Sequence, residues 1–247
     1  MWLCFVSLVL SPANLFAAQA RSLPPDVMKA RVSEPHFTHE TVPLKLPDGA
    51  TITANILVPG PRKLADLDAK MPVLLIFGGF EDAAKMLEQL DPKLPVIVSS
   101  FNYPFEPPRR FEFPESLHDL PDAKRAITQT INGIIELVAT LKSRSDVEAS
   151  RITIVGSSFG AAFALAAAAE NRDLTGVVLV DGFGKIPLAV KQMLARKWNP
   201  YLGFLAAPLA WVLAQSGWLY FNPPEPETSV RKLSSNQHVL LITAEAE

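Results

Sequence analysis

The chain has 247 residues, of which 49% are hydrophobic and 19% are charged. This composition excludes intrinsic disorder, and the length fits one sizeable α/β domain. The formal net charge of −2 offers no basic field for a polyphosphate backbone, so we expect no nucleic acid partner.

The first twenty residues have the pattern of a secretory signal peptide. Trp2 to Leu10 is an apolar run, and Ala18-Gln19-Ala20 supplies a small-x-small cleavage site before Arg21. We predict a signal peptide over 1–20 and a mature chain that is periplasmic or secreted; an anchor that stays attached is the alternative. The only cysteine, Cys4, lies in this segment, so the mature chain would have no thiol for a disulfide or a catalytic nucleophile.

A linker or arm is predicted over 21–36, which is proline-rich and without periodicity, and the folded domain is predicted over 37–247. The domain opens with two segments of partly alternating apolar and polar residues, Thr41 to Leu46 and Thr51 to Val58. Asp48-Gly49 between them is typical of a hairpin turn, so two antiparallel edge strands are predicted.

Short, mainly apolar runs, typical of strands buried on both faces, follow at five places. They are Val73 to Phe77, Val96 to Val98, Ile152 to Val155, Val177 to Val180 and Val239 to Ile242. Two segments of helical character, Ala123 to Lys142 and the alanine-rich Ala161 to Glu170, lie between them. Strands that alternate with helices predict an α/β fold with a mostly parallel sheet.

The sequence Gly156-Ser157-Ser158-Phe159-Gly160 joins a predicted strand directly to a predicted helix. A G-x-S-x-G motif in this context is typical of a strained turn that exposes its central serine at a helix N-terminus. Gly156 and Gly160 would let the strand and the helix cross closely, because neither residue has a Cβ atom. Ser158 is therefore the candidate nucleophile; the alternative is a Ser/Gly turn that only caps a helix.

With this motif and the order of its strands, the chain resembles the α/β-hydrolase fold family over most of its predicted mature length. The resemblance implies an oxyanion hole made by two backbone N–H groups, one after the nucleophile and one after the third strand. On this chain these groups belong to Phe159 and, within Phe77-Gly78-Gly79-Phe80, to Gly79. Phe77 stands where many members have histidine, and a plain tight turn is the alternative interpretation of Gly78-Gly79.

The resemblance also implies a catalytic acid after one of the later strands. Ala244-Glu245-Ala246-Glu247 is similar to the family's G-x-x-D segment, with Glu247 at the position of the acid. Glu247 is the first candidate and Glu245 the second, although both also fit solvated carboxylates at a terminus. Asp181 is the third candidate, and a turn residue is the preferred interpretation of it.

The sequence has no histidine at the position where this fold family carries its general base. This fold carries its histidine after an eighth strand, and none of the four histidines, His36, His39, His118 and His238, stands there. His118 would reach a serine only through an unusual loop. We therefore expect a chain truncated before the eighth strand, the last helix and the histidine.

A long insertion over about 185–237 lies between the last two predicted strands, where this fold carries a cap. Leu202 to Phe221 holds no charge and has the length to cross a bilayer, but Pro208 and Gln215 favour a cap helix over a membrane span. We predict a helical cap with a pocket for an apolar acyl or alkyl group, and a second roof element in Phe101 to Pro114.

Together these features predict a serine hydrolase of carboxylic esters, of the esterase, lipase or thioesterase type, that acts through an acyl-enzyme on Ser158. The expected partner is a small-molecule or lipid-like ester. Peripheral contact with a membrane fits the apolar cap, and no cofactor or metal is expected. The competing hypothesis is a hydrolase-like protein that binds a partner without catalysis, or an inactive fragment.

Overall fold

A computed structural model describes residues 37–60, 70–79, 83, 87, 95–106, 118–182 and 184–243. The predicted signal peptide over 1–20, the linker over 21–36, the carboxylates Glu245 and Glu247 and most of the second roof element lie outside the described residues. The boundaries predicted for those segments stay predictions.

The described residues form one seven-stranded sheet. In chain order its strands are β1 (Phe37–Lys45), β2 (Thr51–Pro59), β3 (Met71–Phe77), β4 (Ile97–Phe101), β5 (Val147–Ser157), β6 (Gly176–Val180) and β7 (His238–Ile242). Their order across the sheet is β1-β2-β4-β3-β5-β6-β7. Only β2 runs antiparallel to its neighbours, and every other pair is parallel. The predicted fold class, a mostly parallel sheet with an antiparallel N-terminal hairpin, is confirmed.

Asp48 and Gly49 form the turn of this hairpin, as their sequence predicts. Gly49 has a φ of 86°, which a residue without a Cβ atom adopts at little cost. The Asp48 carboxylate accepts a hydrogen bond from the backbone N–H of Ala50 at 3.0 Å. This local bond stabilises the turn and fixes the register of β1 on β2.

Five α-helices are described: α1 (Leu120–Lys142), α2 (Phe159–Glu170), α3 (Ile186–Leu202), α4 (Ala206–Phe221) and α5 (Pro226–Lys232). The helices α1 and α2 cover one face of the sheet, where Ile134 and Leu137 of α1 and Ala164 of α2 are fully buried. The face of α2 that meets the sheet is mainly alanine, so this helix approaches the strands closely.

The central strand β3 shows how the two faces of the sheet are filled. Val73, Leu75 and Phe77 belong to the main core with α1 and α2, whereas Leu74 and Ile76 pack with a smaller cluster on the opposite face. Successive residues therefore alternate between two apolar environments, as the unbroken apolar sequence predicts.

The segment between β6 and β7 is helical. The helices α3 and α4 pack against each other around a small core of their own, which contains Val190, Leu194 and Leu213. A single 3₁₀ turn, Gly203–Leu205, joins them, and α5 then packs on α2.

The strand β7 corrects one prediction. Its sequence is typical of a strand buried on both faces, but Val239, Leu240, Leu241 and Ile242 are each 45–61% exposed. This strand is one of the two edge strands of the described sheet and pairs with β6, and the described elements leave both of its faces open. An apolar run indicates a strand, but burial depends on what packs against it.

The loop from α2 to β6 is held by a buried side chain. The amide group of Gln237 donates hydrogen bonds to the carbonyl oxygens of Ala168 at 2.8 Å, Leu174 at 2.9 Å and Asn171 at 3.3 Å. These carbonyl groups lie at the end of α2 and in the turn after it. Gln237 thereby connects the entry into β7 to the carboxyl end of α2.

Candidate active site

Ser158 occupies the turn between β5, which ends at Ser157, and α2, which begins at Phe159. Its φ of 51° and ψ of −114° are unusual for a residue with a side chain and cost about 1–3 kcal/mol. Its backbone N–H donates a hydrogen bond to the carbonyl oxygen of Val180 at 2.9 Å. The neighbouring strand β6 thus holds the strained turn, and the Ser158 side chain is partly exposed at the N-terminus of α2.

Two glycines make this turn sterically feasible. A Cβ atom on Gly156 would lie 2.6 Å from the Cα atom of Ala161, and one on Gly160 would collide with the carbonyl oxygen of Phe77. No ordinary Cβ contact is that short, so both positions require the absence of a side chain. Gly156 and Gly160 therefore lie where β5, β3 and α2 approach one another closely.

The residues predicted to form the oxyanion hole follow neighbouring strands. In the register of β3 on β5, Phe77 lies opposite Gly156, and Gly79 and Ser158 each follow that pair by two residues. Phe159 is the first residue of α2. Gly79 and Phe159 therefore lie on adjacent connections at the carboxyl edge of the sheet.

Tyr103 is a residue of this region for which the sequence predicts only a place in the roof. Its hydroxyl group donates a hydrogen bond to the carbonyl oxygen of Gly78 at 2.8 Å and so holds the connection that contains Gly79. Burial raises the pKa of this hydroxyl group above its usual value. The residue carries no motif that predicts the contact, because its partner lies in a different loop.

An aromatic cluster surrounds this hydrogen bond. The ring centroid of Phe159 lies 5.5 Å from that of Tyr103 and 5.0 Å from that of Phe163, both in edge-to-face geometry. Such pairs contribute about 0.5–1.5 kcal/mol each beyond the area they bury. The cluster fixes the start of α2 against the loop after β4.

Asp181 lies beside Ser158 at the same edge of the sheet. Ser157 pairs with Val180 in the register of β5 on β6, and each candidate residue follows its strand by one position. Asp181 has a φ of 48°, and its backbone N–H donates a hydrogen bond to the carbonyl oxygen of Ile242 at 2.9 Å. Its placement fits both interpretations made from the sequence, a turn residue and an acid near the nucleophile.

Three histidines are described, and none of them donates or accepts a hydrogen bond with Ser158 within the described residues. His238 begins β7, and His39 lies near the start of β1, so both stand at the amino edge of the sheet. His39 makes a hydrogen bond with the side chain of Asn55 at 3.1 Å. His118 is exposed just before α1 and is the described histidine at the carboxyl edge.

A cleft of about 560 Å³ opens between α3, α4 and α5. Its lining combines apolar groups with charged ones: Lys185, Ile186, Pro187, Leu188, Lys191, Trp211, Gln215, Trp218, Glu225, Pro226, Glu227 and Arg231. The indole N–H of Trp218 is buried and has no hydrogen-bond partner in the described part of the chain. The first lining residue in chain order is Lys185, four residues after Asp181. The lining mixes charged and apolar side chains and is therefore more polar than the apolar pocket that the sequence predicts.

No protein-family profile matches the sequence, and no curated protein matches it. The fold, however, is similar to solved structures. An acetyl xylan esterase from Paenibacillus sp. R4 is 17% identical with a TM-score of 0.50, and the match covers 87% of this chain and 85% of that one. Acetyl xylan esterase 1 from Thermoanaerobacterium sp. JW/SL YS485 is 12% identical with a TM-score of 0.50, over 88% of this chain and 81% of that chain.

A peptidase shares the same arrangement. Prolyl oligopeptidase B from Galerina marginata is 14% identical with a TM-score of 0.53, and the match covers 86% of this chain but only 28% of that much longer chain. Identities this low establish the fold alone. The chain has the α/β-hydrolase fold, as its motif and strand order predict.

Proposed function

We propose that this protein is a serine hydrolase of carboxylic esters that forms an acyl-enzyme on Ser158. The observation that carries the proposal is the conformation of Ser158, which has a positive φ at a strand-to-helix turn. The hydrogen bond from the backbone N–H of Ser158 to the carbonyl oxygen of Val180 maintains this conformation. A strained turn that the surrounding structure maintains is typical of a functional position. The esterases with a similar fold support this reaction class.

In the proposed reaction, the Oγ atom of Ser158 attacks the ester carbonyl carbon while its proton passes to a general base. The carbonyl oxygen becomes an oxyanion, which the N–H groups of Phe159 and Gly79 stabilise. When the C–O bond to the leaving group breaks, the base returns the proton to the departing alkoxide and an alcohol leaves. Water then hydrolyses the acyl-enzyme by the same steps and releases a carboxylic acid.

Tyr103 acts in this proposal as a positioning residue. Its hydroxyl group binds the carbonyl oxygen of Gly78, and the next peptide unit carries the N–H of Gly79. A donor that already points at the forming oxyanion lowers the activation barrier, because no reorganisation is needed during the reaction. The aromatic contact of Tyr103 with Phe159 supports both proposed donors from one side.

The cleft of the cap is the proposed site for the substrate. Trp211, Trp218 and Leu188 supply apolar surface for an acyl or alkyl group, and the charged lining fits a polar end. The class of substrate is therefore a small-molecule or lipid-like ester. The proposed acid remains Glu247, with Glu245 and Asp181 as the alternatives.

The experiment is labelling of the full-length protein with a fluorophosphonate, combined with turnover of a short-chain nitrophenyl ester. We expect Ser158→Ala to abolish labelling and to lower kcat/KM by about 10³-fold or more, whereas Ser157→Ala keeps both. Circular dichroism shows that each variant is folded. Labelling that persists in Ser158→Ala would contradict the assignment.

A second candidate function is binding without catalysis. The observation that favours it is that no described histidine contacts Ser158. The same experiment distinguishes the two functions, because a binding protein would show neither labelling nor turnover in its native form. His118→Gln adds a separate test: loss of turnover with retained folding would identify His118 as the base, and retained turnover would place the base elsewhere.

A further inference from the structure

The outer face of α4 is apolar and exposed to solvent. Leu209, Val212 and Leu219 lie on one side of this helix, at spacings of three and seven residues, and they are 44%, 52% and 70% exposed. The opposite side of the same helix packs on α3 through buried residues such as Ala210 and Leu213. A helix with two apolar sides, one of them uncovered, has a surface suited to an apolar partner.

The turn between α3 and α4 extends this surface. Tyr201, near the end of α3, and Phe204, in the turn, are 84% and 87% exposed, and Leu205 in the same turn is 47% exposed. We define the cap face as Tyr201, Phe204, Leu205, Leu209, Val212 and Leu219. Aromatic residues at its end are typical of the boundary between water and lipid, where an apolar ring and a polar group are both accommodated.

The charges of the insertion have one predominant sign. Residues 198–221 contain no charged side chain, whereas the whole insertion 185–237 has six Lys or Arg residues against two Glu residues in a chain of net charge −2. The exposed cations include Lys185 just before α3, Arg196 on α3 and Arg231 on α5, of which Lys185 and Arg231 also line the cleft. An apolar face with flanking cations is complementary to a lipid surface with anionic headgroups.

The geometry distinguishes a helix that lies on a membrane from one that spans it. Trp198–Phe221 is 24 residues long with a mean hydropathy of 1.4 and 28% of its apolar window buried, which meets the length and composition of a span. However, α3 ends at Leu202, and the 16 residues of α4 extend only about 24 Å, less than the roughly 30 Å of a hydrocarbon core. The other side of α4 is also committed to α3.

We propose that the cap face docks on the surface of an anionic lipid bilayer. In the bound state α4 lies in the plane of the interface, with Phe204 and Leu219 among the acyl chains and the cations of the insertion at the headgroups. The six residues of the cap face do not line the cleft, although Lys185 and Arg231 do, and binding does not require a reaction at Ser158.

The test is sedimentation of the full-length protein with vesicles of phosphatidylcholine alone and with vesicles of equal parts phosphatidylcholine and phosphatidylglycerol. We expect binding to the anionic vesicles to exceed binding to the neutral ones by about tenfold or more and to decrease with added salt. Leu219→Glu should weaken that binding by about tenfold or more, because a carboxylate would enter the apolar interface. Ala139→Glu, an exposed change on α1, is the matched control and should keep it.

Two further measurements serve as controls for the vesicle experiment. Circular dichroism and fluorophosphonate labelling should be the same in both glutamate variants, and Ser158→Ala should bind vesicles as the unaltered protein does. Absence of binding to anionic vesicles overturns the proposal, as does equal binding of Leu219→Glu. A dimer in light scattering that Leu219→Glu dissociates, with no vesicle binding, would instead identify the cap face as an interface between two copies of the chain.

Discussion

Ser158 and Asp181 occupy the first positions after the neighbouring strands β5 and β6, and both have positive φ, 51° and 48°. Each is tied to the next strand by its backbone N–H, Ser158 to Val180 and Asp181 to Ile242, both at 2.9 Å. Two adjacent connections therefore hold unfavourable conformations through the same kind of bond. The pairing of β5 with β6 and of β6 with β7 offsets the free energy that these two backbone conformations cost.

A substitution at Asp181 separates its two interpretations. Asn tolerates positive φ as Asp does, so Asp181→Asn should keep the free energy of unfolding within about 0.5 kcal/mol. We expect kcat/KM for the nitrophenyl ester to stay within a few-fold, whereas Glu247→Gln should lower it by about 10³-fold. Loss of activity in Asp181→Asn with retained activity in Glu247→Gln would exchange these roles. Asp181→Val should destabilise by about 1–3 kcal/mol in denaturant unfolding.

Gly160→Ala should damage both stability and activity. The added Cβ atom collides with the carbonyl oxygen of Phe77, a backbone atom that cannot rotate away. We expect a loss of about 1–3 kcal/mol in the free energy of unfolding and a decrease in kcat, because α2 must move relative to β3. Gly184→Ala is the control, since its Cβ atom would make an ordinary contact of 3.4 Å with a side-chain oxygen. Equal melting of the two variants would show that the crossing is less constrained than its geometry indicates.

Tyr103→Phe tests the positioning of the oxyanion donors. It removes the hydrogen bond to Gly78 and keeps the aromatic contact with Phe159. We expect kcat for ester hydrolysis to decrease by about tenfold while KM changes little, because the loss falls on the transition state. A change confined to KM would assign Tyr103 to substrate binding instead.

The buried hydroxyl group of Tyr103 also predicts how stability depends on pH. Its pKa in the folded chain is raised by burial, whereas the unfolded chain ionises tyrosine near pH 10. Above about pH 10 the unfolded state loses this proton first, so the free energy of unfolding should fall as the pH rises. Urea unfolding between about pH 8 and pH 11 measures the slope, because this range includes the tyrosine pKa of about 10 in an unfolded chain. Tyr103→Phe should flatten it, and Tyr201→Phe on the exposed cap face should not.

Gln237→Ala should destabilise the protein without a direct effect on the site. It leaves the buried carbonyl groups of Ala168 and Leu174 without their donor, which costs about 1–3 kcal/mol. Gln192→Ala, on an exposed position of α3, provides the comparison. Similar unfolding midpoints for the two variants would mean that water replaces the amide group of Gln237.

The strands were predictable because their apolar runs reflect burial, but the bounds depend on contacts that the sequence does not display. The run Val96 to Val98 predicts β4, whereas the strand extends over Ile97–Phe101 and includes buried Ser99. The hydroxyl group of Ser99 donates to the carbonyl oxygen of Asn55 at 2.8 Å, on the neighbouring strand β2. A polar residue is compatible with a buried strand when its partner comes from far along the chain.

The candidate site also has one part that the sequence predicts and one part that it does not. Ser158, Gly156 and Gly160 belong to a local motif whose steric demands can be derived from five consecutive residues. Tyr103 is connected to the site by a single hydrogen bond to a residue in another loop. Its role depends on the relative positions of β3 and β4, which no local pattern specifies.

Three backbone contacts hold the site: Phe77 lies against Gly160, the N–H of Ser158 donates to Val180, and the N–H of Asp181 donates to Ile242. Each of them joins segments that are distant in sequence, so none forms early from local structure alone. Recovery of activity on refolding should therefore coincide with the slowest phase of tertiary structure formation and follow the recovery of helix signal. Complementary fragments divided between β5 and β6 should regain labelling only after they associate, which makes the reactive serine a kinetic reporter of complete assembly.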